Sequence, residues 1–292
     1  ISDNSGGTDI FYFAPSKYDN NSIRFQNFPY LNSPFWDSHP TAVLQKDKNN
    51  NPVILIIFSS DREQPFSKAI DLNGDTIYGG STDLYYAFAR LESSVNSDAN
   101  NLKNYKFDKV KKLEGANTPN FSEGSPFVFC DCCSPTLFFS SNRNNKNRFD
   151  FDIYSVKLMI DYDNFTVETA GLPEIIDEKS MTTDSLTFRI NTFADERFPF
   201  IPFPHSVQDS NYIYFSSDRN KKFFKNCGCE DGRDRTENFG EYDIYKYNLP
   251  EKYKCPKTEK PPKPEPKKDT IYSPELYADI VIINAQNPKE KL

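Results

Sequence analysis

The residues of this 292-residue chain whose types and spacing could do chemistry are six cysteines, two histidines and a recurring aspartate–arginine pattern. Cys130, Cys132 and Cys133 form a CxCC cluster, Cys227 and Cys229 a CxC pair, and Cys255 stands apart. Three chemistries compete for them. Clusters of this kind form disulfides in oxidising compartments. They could also bind zinc, but tetrahedral thiolate sites favour CxxC knuckles, which CxCC and CxC are not. The third outcome is free thiols. The expectation is at least one disulfide among Cys130, Cys132, Cys133, Cys227 and Cys229, with no metal site and no cofactor. The histidines are His39 and His205. His39 occupies a repeat slot held elsewhere by Ser125 and Phe198, which predicts a loop histidine rather than a general base. His205 follows Pro204 and has no evident partner in the sequence.

Other catalytic signatures are missing from the sequence. It has no Gly-x-Ser-x-Gly elbow, no glycine-rich phosphate loop and no His-Glu-x-x-His. Asp and Glu number 42, so paired carboxylates of a glycosidase or carbohydrate-binding protein are the surviving enzyme-like alternative, yet nothing marks two of them as special. No enzyme activity is expected. The net charge of −7 argues against a nucleic-acid surface. No run of 18 apolar residues exists, so no membrane-spanning helix is expected.

The aspartates and arginines belong to a repeat. Asn191-Thr192 leads to Asp195-Glu196-Arg197-Phe198-Pro199, then Tyr214-Phe215-Ser216-Ser217-Asp218-Arg219, then Gly240-Glu241-Tyr242-Asp243-Ile244-Tyr245. The same order runs from Asn117-Thr118 through Glu123-Gly124-Ser125-Pro126 and Phe139-Ser140-Ser141-Asn142-Arg143 to Asp152-Ile153-Tyr154. It runs again from Asn32-Ser33 through Asp37-Ser38-His39-Pro40 and Phe58-Ser59-Ser60-Asp61-Arg62 to Asp83-Leu84-Tyr85. A partial copy, Gly7-Thr8-Asp9-Ile10-Phe11, opens the chain. One residue type recurring in every copy serves the repeat rather than a unique site. Asp9, Arg62, Asp83, Arg143, Asp152, Arg219 and Asp243 are therefore read as structural. The aspartates are expected to cap turns or to pair with Arg62, Arg143 and Arg219.

The elements that position these residues are strands. Aromatic residues make up 15% of the chain, with 26 Phe, 17 Tyr and 21 Pro, which suits an all-β protein with many loops. Each unit reads as a four-stranded antiparallel blade. The proline lies at the first strand, Phe-Ser-Ser ends the second, and the motif aspartate starts the third. In Asp243-Ile244-Tyr245-Lys246-Tyr247, Ile244 and the aromatics fall on opposite faces, as a period of two requires. A blade cannot bury both faces alone, so neighbours must stack on it.

These strings resemble the WD-like propeller repeat of bacterial envelope proteins, as in the Tol-system periplasmic propeller and the OmpA-family proteins of Bacteroidetes type. The resemblance covers roughly residues 5–250. It implies a β-propeller over residues 1–250, with three full blades and a partial one. Residues 251–270 read as a Pro/Lys-rich linker, and 271–292 as the start of a small β domain or a C-terminal strand. It also implies an exported, non-catalytic scaffold that binds other envelope proteins, in the periplasm or at the outer membrane or surface of a Gram-negative bacterium. The chain would then be one module of a longer, tethered protein. The long stretches 62–81 and 219–240 are the expected contact loops, with Phe66, Phe223 and Phe224 as anchors.

Overall fold

The computed structural model describes residues 8–15, 23–28, 30–63, 67–70, 76–79, 81–91, 105–119, 121–129, 134–143, 151–176, 190–192, 194–202, 212–218 and 242–254. Among them the fold is all-β and antiparallel, apart from one 3-10 turn at Glu251–Tyr253.

The first full repeat builds a sheet from β3 (Asp37–Lys46), β4 (Pro52–Ser60), β7 (Asp83–Leu91) and β8 (Tyr105–Phe107), with β9 (Lys111–Lys112) also on β7. The second uses β10 (Glu123–Phe129), β11 (Thr136–Ser141), β12 (Asp152–Asp161) and β13 (Thr166–Thr169), with β14 (Glu174–Ile175) also on β12. The third has β15 (Glu196–Phe200), β16 (Tyr212–Ser217) and β17 (Asp243–Asn248). The partial copy contributes β1 (Phe11–Pro15) paired with β2 (Ile23–Asn27). The third strands begin at Asp83, Asp152 and Asp243, as the repeat predicts. The stretch 62–81, expected as loop, contains the hairpin β5 (Ser67–Ile70) and β6 (Thr76–Gly79).

The sheets are stacked in sequence, and the sequence explains why. The second strands of the first two sheets have a neighbouring layer on each face, so both of their faces are apolar. In β4, Leu55 and Ile57 join the core shared with the second sheet, while Ile56 and Phe58 join the core shared with the N-terminal hairpin. In β11, Leu137 and Phe139 face the first sheet's core, and Phe138 joins Ile213 and Phe215 of the third. Burying each such side chain contributes roughly 1.5–3 kcal/mol.

Each first strand carries the same irregularity. The register slips by one residue between Ser38 and Thr41, between Gly124 and Phe127, and between Arg197 and Phe200. The extra residue makes a β-bulge, and at all three places it holds a left-handed backbone: His39 at φ 51°, Ser125 at φ 50° and Phe198 at φ 55°. Each precedes a proline, which keeps its residue out of the right-handed helical region. A left-handed non-glycine residue costs roughly 1–2 kcal/mol, so the surrounding sheet must hold it there. His39 therefore lies within a strand and not in a loop.

Candidate functional site

The repeat residues converge where first and second strands meet. In the antiparallel register, the second serine of each Phe-Ser-Ser lies between two acids. Ser60 faces Asp37 on one side and Asp83 on the other, Ser141 faces Glu123 and Asp152, and Ser217 faces Glu196 and Asp243. Arg62 Nη2 pairs with Asp37 Oδ1 at 2.6 Å, and Arg143 Nη2 with Glu123 Oε1 at 3.0 Å. The arginines thus take the acid that opens the first strand. Asp83 takes Lys112, at 2.7 Å.

The surroundings repeat as closely as the pairs. Arg62 Nε donates to Ser60 Oγ and Nη2 to the Leu31 carbonyl; Arg143 does the same with Ser141 and Ala116. Arg62 lies over the Phe58 and Tyr85 rings, and Arg143 over Phe139 and Tyr154. In the third sheet Ser217 Oγ donates to Glu196 Oε1 at 3.1 Å, and the Phe215 and Tyr245 rings stack as Phe139 and Tyr154 do in the second. The residue before each arginine also has one role throughout. Asp61, Asn142 and Asp218 accept the backbone N–H of Trp36, Ser122 and Asp195 at 2.7–2.8 Å.

A third set of residues staples each inter-sheet linker to the strand it leaves. Asn32 Oδ1 accepts the N–H of Ile10, Asn117 Oδ1 that of Leu84, and Asn191 Oδ1 that of Ile153. Their amide groups donate back to the carbonyls of Ile10, Leu84 and Ile153. The N–H groups of Phe28, Leu113 and Ile176 bond those same three carbonyls. The N–H of Asp37, Glu123 and Glu196 then bonds the carbonyl of Thr8, Thr82 and Phe151. Thr8 and Ile10 flank Asp9, so the partial copy carries the same third-strand geometry.

Burial sets the electrostatics. Glu123, fully buried, is pushed up to about 7 by desolvation, against the pull of Arg143, Ser141 and the Thr118 N–H. Burial lowers Arg143 and raises Asp61 and Asp83, the last against Lys112. His39 is held at about 4, first by desolvation and then by the nearby charge of Arg197. Its ring packs 4.9 Å from that of Phe198 and 5.7 Å from Trp36. Bulge residues of the first and third sheets therefore touch, and one of the two, Phe198, is partly exposed there.

No family model matches the chain, and neither a curated protein nor a solved structure does. Its function must be argued from its own residues.

The expected site residues are placed as follows. Asp9, Arg62, Asp83, Arg143, Asp152 and Asp243 lie at equivalent points of successive sheets, whereas Arg219 lies outside the described residues. So do all six cysteines, His205, Phe66, Phe223 and Phe224, and with them the expected disulfides and contact anchors. Among the described residues no group of three or more His, Cys, Asp or Glu could hold a metal ion, and no helix is long and apolar enough to cross a membrane. Sequence reading did not assign roles to Asp37, Glu123 and Glu196 or to Asn32, Asn117 and Asn191. Both sets stand in the repeated strings, and their recurrence was the available signal.

Proposed function

We propose that the sheets are blades of a β-propeller and that the chain is a non-catalytic, protein-binding scaffold of an exported cell-envelope protein. The observation that carries this reading is the successive stapling: the asparagine bridge recurs at three successive steps, the bulge in all three sheets and the acid–arginine pair in the first two, with a shared core at each step. Side chains with catalytic potential are used inside that lattice. Asp37 and Glu123 each hold an arginine, and Asp61 and Asp218 hold backbone N–H groups. A lattice of this kind is a rigid support, and loops on rigid supports carry recognition. The partners would be other envelope proteins.

Deleting residues 221–235 from the full chain and identifying co-purifying proteins tests the reading. Loss of a specific partner, with an unchanged melting temperature, is expected. An unchanged partner set would sink the assignment of this stretch as a contact loop. Alkylating the unreduced protein tests the expected disulfide: if all six thiols react, that expectation fails and the exported assignment loses its support from the cysteines.

A further inference from the structure

The third sheet repeats the bulge and the serine–acid contact of the first two, but the start of its third strand is covered differently. Leu84 and Ile153, each following its motif aspartate, are both 0% exposed, whereas Ile244 at the same position is 81% exposed. What covers the first two is the linker that leaves each sheet, together with the next sheet. Leu84 shares its core with Leu113 and Ala116, and Ile153 with Ile176 and Ile190. Ile10, the third example, shares its core with Phe28 and Leu31. Two of these covers have one spacing: Phe28-Pro-Tyr-Leu31-Asn32 and Leu113-Glu-Gly-Ala116-Asn117, with an acid five or six residues later at Asp37 and Glu123. The same pattern stands once more near the end of the chain, as Ile280-Val-Ile-Ile283-Asn284 with Glu290 six residues on.

We propose that residues 280–290 of this chain dock on the third sheet beside Ile244, as the linker that leaves it. By the geometry of the other three positions, Ile280 N–H bonds the Ile244 carbonyl and Asn284 bridges the N–H and carbonyl of Ile244. Ile280 and Ile283 cover the Ile244 side chain, and Glu290 N–H bonds the Tyr242 carbonyl. The length of chain permits this. The last described residue is Lys254, and the Pro/Lys-rich stretch 255–268 spans roughly 40 Å at about 3.1 Å per residue in an extended conformation. Three strands at about 4.8 Å spacing are much narrower than that. The proposal is independent of the scaffold reading, because it concerns how the third sheet is completed and not what the sheets bind.

Hydrogen exchange on the full-length chain tests it, with the Ile153 amide as an internal reference for folding. The Ile244 amide is expected to be protected to within about tenfold of Ile153. Asn284→Ala is expected to speed Ile244 exchange at least tenfold and leave Ile153 unchanged, while Gln286→Ala changes neither. Ile283→Asp should act as Asn284→Ala does. Fast exchange at Ile244 in the unaltered chain would overturn the proposal. So would protection that ignores both variants, and protection lost on dilution would assign the cover to a second copy instead. If a variant also loosens Ile153, comparison of the unaltered chain with Gln286→Ala still decides whether Ile244 is protected.

Discussion

His39 and Glu123 titrate in opposite directions over the same pH range, and removing one should expose the other. His39 titrates at about 4 in the fold against an ordinary value near 6.5. The unfolded chain therefore binds the extra proton between those limits, so this contribution is full above about 6.5 and is lost as pH falls to 4. Glu123 titrates at about 7 against an ordinary 4.5. Here the folded chain holds the extra proton, so stability is full below about 4.5 and is lost as pH rises through 7. Displacements of this size correspond to about 3 kcal/mol each, and between pH 4.5 and 6.5 their pH dependences cancel. Asp61 and Asp83, raised by burial, add to the Glu123 direction in every variant, so the informative quantity is the difference from the unaltered protein. His39→Asn keeps a residue tolerant of the left-handed backbone and removes the titration. Relative to the unaltered chain it should gain up to about 3 kcal/mol as pH falls from 7 to 4, read from urea midpoints at pH 4, 5, 6 and 7. Glu123→Gln should shift the other way, gaining relative stability as pH rises from 4.5 to 7. A difference profile for His39→Asn that is flat across this range would refute the desolvation argument.

Asn117→Ala should cost about 3 kcal/mol in denaturant unfolding, because it strands the Leu84 N–H and leaves the Leu84 and Leu113 carbonyls short of a donor. Asn117→Asp should cost a similar amount, since it keeps the acceptor but loses both donated bonds. Arg143→Met should cost roughly 3–5 kcal/mol by leaving Glu123 buried without its cation, and more at pH 8 than at pH 5 because the carboxyl is then ionised. Gly115→Ala should destabilise more than Gly171→Ala in thermal melts. Both have positive φ, but a Cβ on Gly115 would clash with Thr169 Oγ1 while Gly171 faces open space. Adding Thr169→Ala to Gly115→Ala should recover the steric part and leave the backbone part.

The repeat made much of the fold legible. Strands that begin at Asp83, Asp152 and Asp243 follow from the recurring motif, helped at Asp243 by alternation, and β4 from an apolar run too short for a helix. The ion partners were not legible, and the register shows why. Ser60 lies opposite both Asp37 and Asp83, so spacing along the chain gives Arg62 two equivalent acids. Only the third dimension reveals that Lys112 stands beside Asp83 and leaves Asp37 to the arginine. The bulges were hidden for a related reason. A residue before proline is expected to be extended, and the left-handed state of His39, Ser125 and Phe198 is imposed by the slip in pairing. The β5–β6 hairpin did have a signal, since Asn73-Gly74 lies between its strands and such pairs favour tight reversals.

The bulge has a consequence for how such a sheet can change over time. Its backbone is fixed by the strand on one side and the proline on the other, and it accepts an imidazole, a hydroxyl and a phenyl ring at the same point. Fold and side-chain identity are thereby uncoupled at one position per repeat. Two of those positions, His39 and Phe198, already meet. Substitution there can alter what the protein touches while the acid–arginine and asparagine contacts go on holding the sheets together. A lineage could explore new surfaces at these positions at little risk to folding.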